Sequence, residues 1–222
     1  ELDDRFAARI MLRHGLPGDV VHALRAVSAS YRAWGSSVTV TRPLPAGSTL
    51  SLRDRTLEVL HRPGHSPSDT VFWDADRRIL LGGDHLIAHI SSNPLLTRPL
   101  GGPAGEDATR PQALVDYIDS LRATRAMEID LVLAGHGEPI EDHVALIDER
   151  LRLHDRRAEK ILDLIRTQPS TAYEIAQALW GNVAVTQAYL TLSEVLGHAD
   201  LLLNDGRVRE TLADGVVRFA AA

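Results

Sequence analysis

The chain of 222 residues contains no cysteine. Disulfides and thiolate metal centres are therefore excluded, and any bound metal must rest on His, Asp or Glu. The chain also lacks an apolar run long enough to cross a bilayer. Its opening residues, Glu1-Leu2-Asp3-Asp4-Arg5, have neither the basic start nor the apolar stretch of a secretory leader. A cytoplasmic location is the default expectation. No long block of one charge occurs and the net charge is −6, which argues against a nucleic-acid or anionic-membrane surface. What is present is ordinary for a folded protein: 44% apolar and 24% charged residues, in a chain long enough for one large core or two small ones.

The hydrophobic period changes along the chain. Residues 5–14 and 18–29 read as helices, the second opening after Pro17-Gly18-Asp19 with Val20, Val21, Leu24 and Val27 at helical spacing. Alternation then takes over: Val38 and Val40, Leu50 and Leu52, and the run Leu57, Val59, Leu60 predict short strands. Thr70–Trp73 and Arg78–Leu81 predict a hairpin with residues 74–77 as its turn. From about His89 to Arg110 the sequence is irregular and rich in Pro and Gly, a length at which compact domains carry lids or binding loops. Residues 111–123 predict a helix, Leu131–Ala134 a buried strand, and 141–167 a charged helix holding a domain junction. Helices at 173–180 and 186–203, a turn at Asn204-Asp205-Gly206 and two last strands give the order of a winged helix.

Three short motifs carry the chemistry. They are Pro63-Gly64-His65-Ser66, Gly83-Asp84-His85 and Gly135-His136-Gly137. Each places a candidate ligand just past an apolar strand and beside glycine. Strands deliver side chains rigidly to one edge of a sheet, and glycine lets the backbone turn and leaves room next to a cation. Taken singly each is a weak signal, because a histidine by a turn or a Gly-Asp pair is commonplace.

In this order, each after a strand, the three motifs resemble the later motifs of the metallo-β-lactamase superfamily. The stretch Gly83-Asp84-His85-Leu86 and Ile90-Ser91-Ser92-Asn93-Pro94 resembles a branch with a C-terminal winged-helix appendage, which includes ribonuclease-like and thioester-hydrolase-like members. The resemblance implies an α+β fold: part of an αββα sandwich over residues 1–150, lacking its N-terminal part, then a small winged-helix-like domain over 151–222. It implies two divalent metal ions, zinc by preference, with His65 a ligand of the first, His136 of the second and Asp84 bridging both. The reaction implied is hydrolysis of a small ester, thioester or related acyl substrate by a metal-bound hydroxide. Asp84 and His85 are the candidate catalytic residues, His85 as a donor to substrate or, equally, as a hydrogen-bonded neighbour of the strand end.

Two departures from the family pattern stand out. Arg62 replaces a small threonine, a change expected to act on hydrogen bonds around the ligands. The family's first motif, His-x-His-x-Asp-His, is absent, and only His14, His22 and His61 precede His65. The expectation is thus a longer natural protein, with residues 1–222 alone holding zinc poorly, lacking hydrolase activity and tending to self-associate. A phosphodiesterase or ribonuclease of the same fold, and a metal-free relative serving as a structural partner, are the alternatives. Asp69 is expected either to orient His65 or to cap the following turn. His89 and Asn93 read as loop polarity, His143, His154 and His198 as surface histidines, and Trp73 and Trp180 as core or interface residues. Expected partners are a small-molecule substrate and a second copy of the chain, with no membrane. No nucleic acid is expected either: residues 186–204 hold no Lys or Arg, and 151–222 contain eight basic and nine acidic residues.

Overall fold

The computed structural model describes residues 2–100, 109–182 and 185–222. The chain forms two compact units, each assembled from separate segments. One comprises Val38–Pro94 and Ala113–Leu153; the other comprises Glu1–Ser37, Leu95–Gln112 and His154–Ala222. The sequence pattern alone suggested a single cut at residue 150. Among the described residues no helix is long and apolar enough to cross a membrane.

The first unit is built on a five-stranded sheet with the strands in chain order: β1 (Thr49–Ser51), β2 (Thr56–His61), β3 (Thr70–Asp74), β4 (Ile79–Gly83) and β5 (Leu131–Ala134). Neighbours are antiparallel except β4 and β5, which run parallel. A parallel pair needs a crossover, and helix α3 (Ala113–Arg125) lies within that connection. Alternation places Leu57, Val59, Val71, Leu80 and Val132 in the interior. The buried stripe of α3, Leu114, Tyr117, Ile118 and Leu121, keeps helical spacing.

The hairpin between β3 and β4 is tied by Asp74, which accepts from the Arg77 backbone N–H at 3.2 Å and from its guanidinium at 3.1 Å. Arg78 takes φ 53° there, so it belongs to the turn and not to the strand. Val38 and Val40, expected in a strand, lie in irregular chain and are 84% and 75% exposed. Alternation without a neighbouring strand to pair with does not make a sheet.

The second unit packs helices α1 (Leu2–Arg13), α2 (Gly18–Arg32), α5 (Ala172–Trp180) and α6 (Ala188–Asn204) with the later part of α4 (His143–Thr167) and a hairpin of β6 (Val208–Ala213) and β7 (Val216–Ala221). Their apolar faces share one core, including Phe6, Ile10, Ile161, Ile165, Ile175, Leu192, Leu196 and Phe219. Helix α5 starts with a capping box: Glu174 N–H donates to Thr171 Oγ1 at 3.1 Å and Thr171 N–H to the Glu174 carboxylate at 2.8 Å. A single 3₁₀ turn, Val185–Gln187, precedes α6, so the α-helix begins two residues later than the periodicity suggested.

The long Pro- and Gly-rich segment is in part described. Leu96 is buried in the core of the second unit, with the Tyr189 hydroxyl donating to its carbonyl. Arg110 makes a bidentate ion pair with the buried Asp200. Gly101, Gly102, Pro103 and Gly105 lie outside the described residues.

The expectation that His143, His154 and His198 are surface residues is corrected: they are 5%, 5% and 0% exposed. His154 falls on the buried stripe of α4 between Ile147 and Ala158, Ile161 and Ile165, and its Nδ1 meets His198 Nε2 at 3.2 Å. His143 Nε2 bonds the Met127 carbonyl at 3.1 Å. Trp73 and Trp180 are half-buried, the latter under the Arg157 guanidinium at 5.0 Å.

Candidate metal centre

Each of the three motifs sits just beyond a strand of the sheet. After β2 the chain turns through Gly64, whose N–H donates to the Ser66 carbonyl at 3.0 Å. A Cβ on Gly64 would collide with the Tyr117 ring, so the chain can pass against α3 only as glycine. Asp69 accepts from Ser66 N–H at 3.0 Å and from its hydroxyl at 2.5 Å. Asp69 thus caps the turn that presents His65; it is not bonded to the His65 ring, whose buried Nδ1 has no partner among the described residues.

Asp84 follows β4 and His136 follows β5, and the parallel pairing of these strands brings the two together. Gly135 N–H donates to the Gly83 carbonyl at 2.7 Å. A Cβ on Gly135 would lie 2.5 Å from Asp84 Oδ1 and 3.2 Å from the Gly83 backbone. Glycine here is what allows the carboxylate to stand beside the neighbouring strand end.

The resulting cluster is symmetrical about Asp84. Its Oδ2 lies 3.7 Å from His65 Nε2, and its Oδ1 lies 3.6 Å from His136 Nε2. These separations are too long for hydrogen bonds. They approach the spacing of two ligands on one zinc, since bond lengths near 2.0–2.2 Å at a tetrahedral angle put donor atoms about 3.4 Å apart. Asp84 thus stands between two imidazoles, at separations that divalent-metal ligands could adopt. Each side has two donors, and among the described residues no group of three or more metal-binding side chains is assembled. Asp84 and His65 are about one-third exposed and His136 is 72% exposed, so the cluster is open to solvent.

His85 does not join this cluster. It is 1% exposed, its Nε2 lies 2.9 Å from Thr124 Oγ1 on α3, and its ring meets Tyr117 edge-on. Burial, with the nearby Arg62 charge, pushes its pKa down to about 4. The donor role toward substrate is thus corrected: a neutral, enclosed imidazole fastens the end of β4 to α3. Tyr117 completes the clasp by donating to the His85 carbonyl at 2.9 Å.

Arg62 also belongs to this support. Its Nε donates to Thr124 Oγ1 at 3.3 Å and its Nη1 to the His61 carbonyl at 3.0 Å, so Thr124 links the residue before Pro63 to the residue after Asp84. Sequence reasoning missed Thr124, because a threonine within a helix carries no motif signal. His89 is exposed and Asn93 half-buried.

The chain is similar to known proteins along most of its length. Residues 12–136 match the family model described as metallo-beta-lactamase superfamily, and residues 158–222 match that of the metallo-beta-lactamase-like C-terminal domain. The chain is 33% identical over 198 residues to "Probable metallo-hydrolase YqjP" of Bacillus subtilis, an alignment covering 89% of this chain and 60% of that protein. A shorter stretch of 64 residues, 28% of this chain, is 41% identical to "Acyl-coenzyme A thioesterase MBLAC2" of Bos taurus and covers 23% of it. Among solved structures, a metallo-beta-lactamase family protein of Thermus thermophilus superposes with a TM-score of 0.80 at 26% identity, covering 98% of this chain and 64% of its own. A beta-lactamase domain protein of Burkholderia ambifaria gives a TM-score of 0.82, also at 26% identity, over 96% of this chain and 60% of its own. The chain thus spans about 60% of the length of the relatives that it matches along nearly all its own length. Its mixed α+β architecture is theirs, and the chain belongs to the metallo-beta-lactamase superfamily.

Proposed function

We propose that the protein carrying this chain is a metal-dependent hydrolase of acyl substrates, thioesters foremost, with His65, Asp84 and His136 contributing to a two-metal centre. The observation that carries this reading is the placement of Asp84, whose two oxygens face two different imidazoles. Divalent metal, when bound, supplies Lewis acidity and an activated water at neutral pH. The residues present do the holding: His65 and His136 offer neutral nitrogens, and Asp84 offers a charge to each side. His85, Arg62, Thr124 and Tyr117 keep the strand ends in register. A catalytic zinc takes three protein donors, more than either side has here, so the reading is of the whole protein. The thioester preference is supported by the name of the Bos taurus relative and rests on that likeness.

Residues 151–222 are read as a winged-helix-like appendage, supported by the order of α5, α6 and the β6–β7 hairpin. Helix α6 is enclosed along Leu192–Asp200 except at Glu194, whereas a helix that reads DNA must stand exposed in the groove. The appendage is therefore proposed to pack on a partner or on the chain itself, a cytoplasmic homodimer being the simplest arrangement.

The test is metal analysis and turnover on a panel of acyl thioesters, a β-lactam and a phosphodiester, with the complete protein and its Asp84→Ala variant. The expected result is thioester hydrolysis and bound divalent metal, both lost in the variant. Full metal occupancy and unchanged turnover in Asp84→Ala would refute the proposal.

A further inference from the structure

We infer that the second unit carries a binding groove for one amphiphilic anion, a long-chain carboxylate or phosphate monoester, built from residues other than the His65–Asp84–His136 cluster. The groove has a volume of about 780 Å³, inside the range of sites for small organic ligands. Arg5, Arg9 and Arg13 line it from α1, Arg25 from α2 and Arg98 from the segment beyond Pro94. Among the described residues lining it, Asp214 is the single acid. In a chain of net charge −6, this concentration runs against the overall sign.

Arg98 is answered by Asp3, whereas Arg5, Arg13 and Arg25 meet no carboxylate among the described residues. The two acids of α1 are engaged: Asp3 with Arg98 at 3.0 Å, and Asp4 with Arg32 at 2.6 Å. Arg5, Arg9 and Arg13 follow one another at i, i+4 spacing, where like charges weaken a helix; a bound anion relieves that repulsion. The cations are arginines, whose guanidinium fork matches carboxylate and phosphate oxygens bidentately.

The remaining wall is apolar. Leu2, Phe6, Leu12 and Val216 line the same groove, and Leu2 and Leu12 keep 44% and 48% of their surface exposed. Val216 follows a tight turn in which Asp214 and Gly215 take φ 51° and 77°, a pattern that fixes the hairpin end. Charge alternating with exposed leucine in a concave site suits one acyl chain with an anionic head better than the extended backbone of a nucleic acid.

Isothermal titration of the full chain with dodecanoate and dodecyl phosphate, below their micelle concentrations, tests this. Dodecyltrimethylammonium, inorganic phosphate, short duplex DNA and phosphatidylglycerol vesicles serve as comparisons. Both anions are expected to bind in the micromolar range, with at least ten-fold weaker binding in Arg5→Gln/Arg25→Gln and in Leu12→Gln. Inorganic phosphate and the cationic amphiphile should bind at least ten-fold more weakly than dodecyl phosphate. All three substituted side chains are exposed, so far-ultraviolet circular dichroism should be unchanged, and if the double variant fails to fold Leu12→Gln carries the test. Equal binding of the cationic amphiphile, unchanged affinity in the folded variants, absence of binding, or binding to vesicles or DNA alone would each overturn the inference.

Discussion

Replacing Thr124 with valine tests whether the support behind the His65–Asp84–His136 cluster is held by hydrogen bonding or by shape. Thr124 is fully buried, and its hydroxyl lies 2.9 Å from His85 Nε2 and 3.3 Å from Arg62 Nε. Valine preserves the side-chain outline, so little cavity is created. His85 already has a buried Nδ1 without a partner, and the substitution would leave Nε2 without one too. Arg62 keeps its bond to the His61 carbonyl. One stranded buried polar group costs about 1–3 kcal/mol, so a loss of about 2 kcal/mol is expected. Thr124→Ser, which keeps the hydroxyl and removes one methyl, should cost about 1 kcal/mol. In urea unfolding, with a slope of about 2 kcal/mol per molar, the valine variant should lower the midpoint by roughly 1 M and serine by about half that. A valine variant as stable as the parent, or a serine variant less stable than valine, would refute the reasoning.

Gly135→Ala should push Asp84 away from the end of β5, because the new methyl would stand 2.5 Å from its Oδ1; metal content and turnover of the complete protein should both fall. His198, bonded to the Glu194 carbonyl and to His154, with Arg157 nearby, has its pKa pushed down by burial to about 4 from 6.5. The unfolded chain therefore takes up this proton first as pH falls, and stability present above pH 6.5 is lost progressively toward pH 4. Melting temperatures across that window should fall with pH, and the slope should be shallower in His198→Leu. Arg110→Met leaves Asp200, 1% exposed, as an unpaired buried carboxylate; a loss of about 3–5 kcal/mol is expected, with much of it regained in Arg110→Met/Asp200→Asn by chemical denaturation.

The strands and helices were legible wherever the local period also decided burial. The β2 run Leu57, Val59, Leu60 and the α3 stripe from Leu114 to Leu121 needed no tertiary information. Val38 and Val40 show the limit: they alternate like a strand, but a strand exists only beside a partner, and among the described residues none pairs with them. The segmental make-up of the two units was not legible either. Which early helix joins which later core depends on Phe6 and Ile10 sharing one core with Phe219, more than 200 residues further along the sequence. No local window holds that information.

The meeting of His65, Asp84 and His136 was legible for a different reason. His65, Asp84 and His136 each stand next to a glycine at a strand end, and the sheet needs only its strand order to bring them together. His85 has the same local setting as Asp84 and an opposite fate, since successive residues at a strand end leave on different sides. One faces the open edge and the other the interior, where Thr124 meets it. Motif position identifies the strand end; the side of the sheet decides which residue meets solvent. The same distinction separates His154, whose spacing from Ile147 and Ile161 already put it on the buried stripe of α4, from a surface histidine. Periodicity carried that answer, while the charged composition of the helix argued the other way.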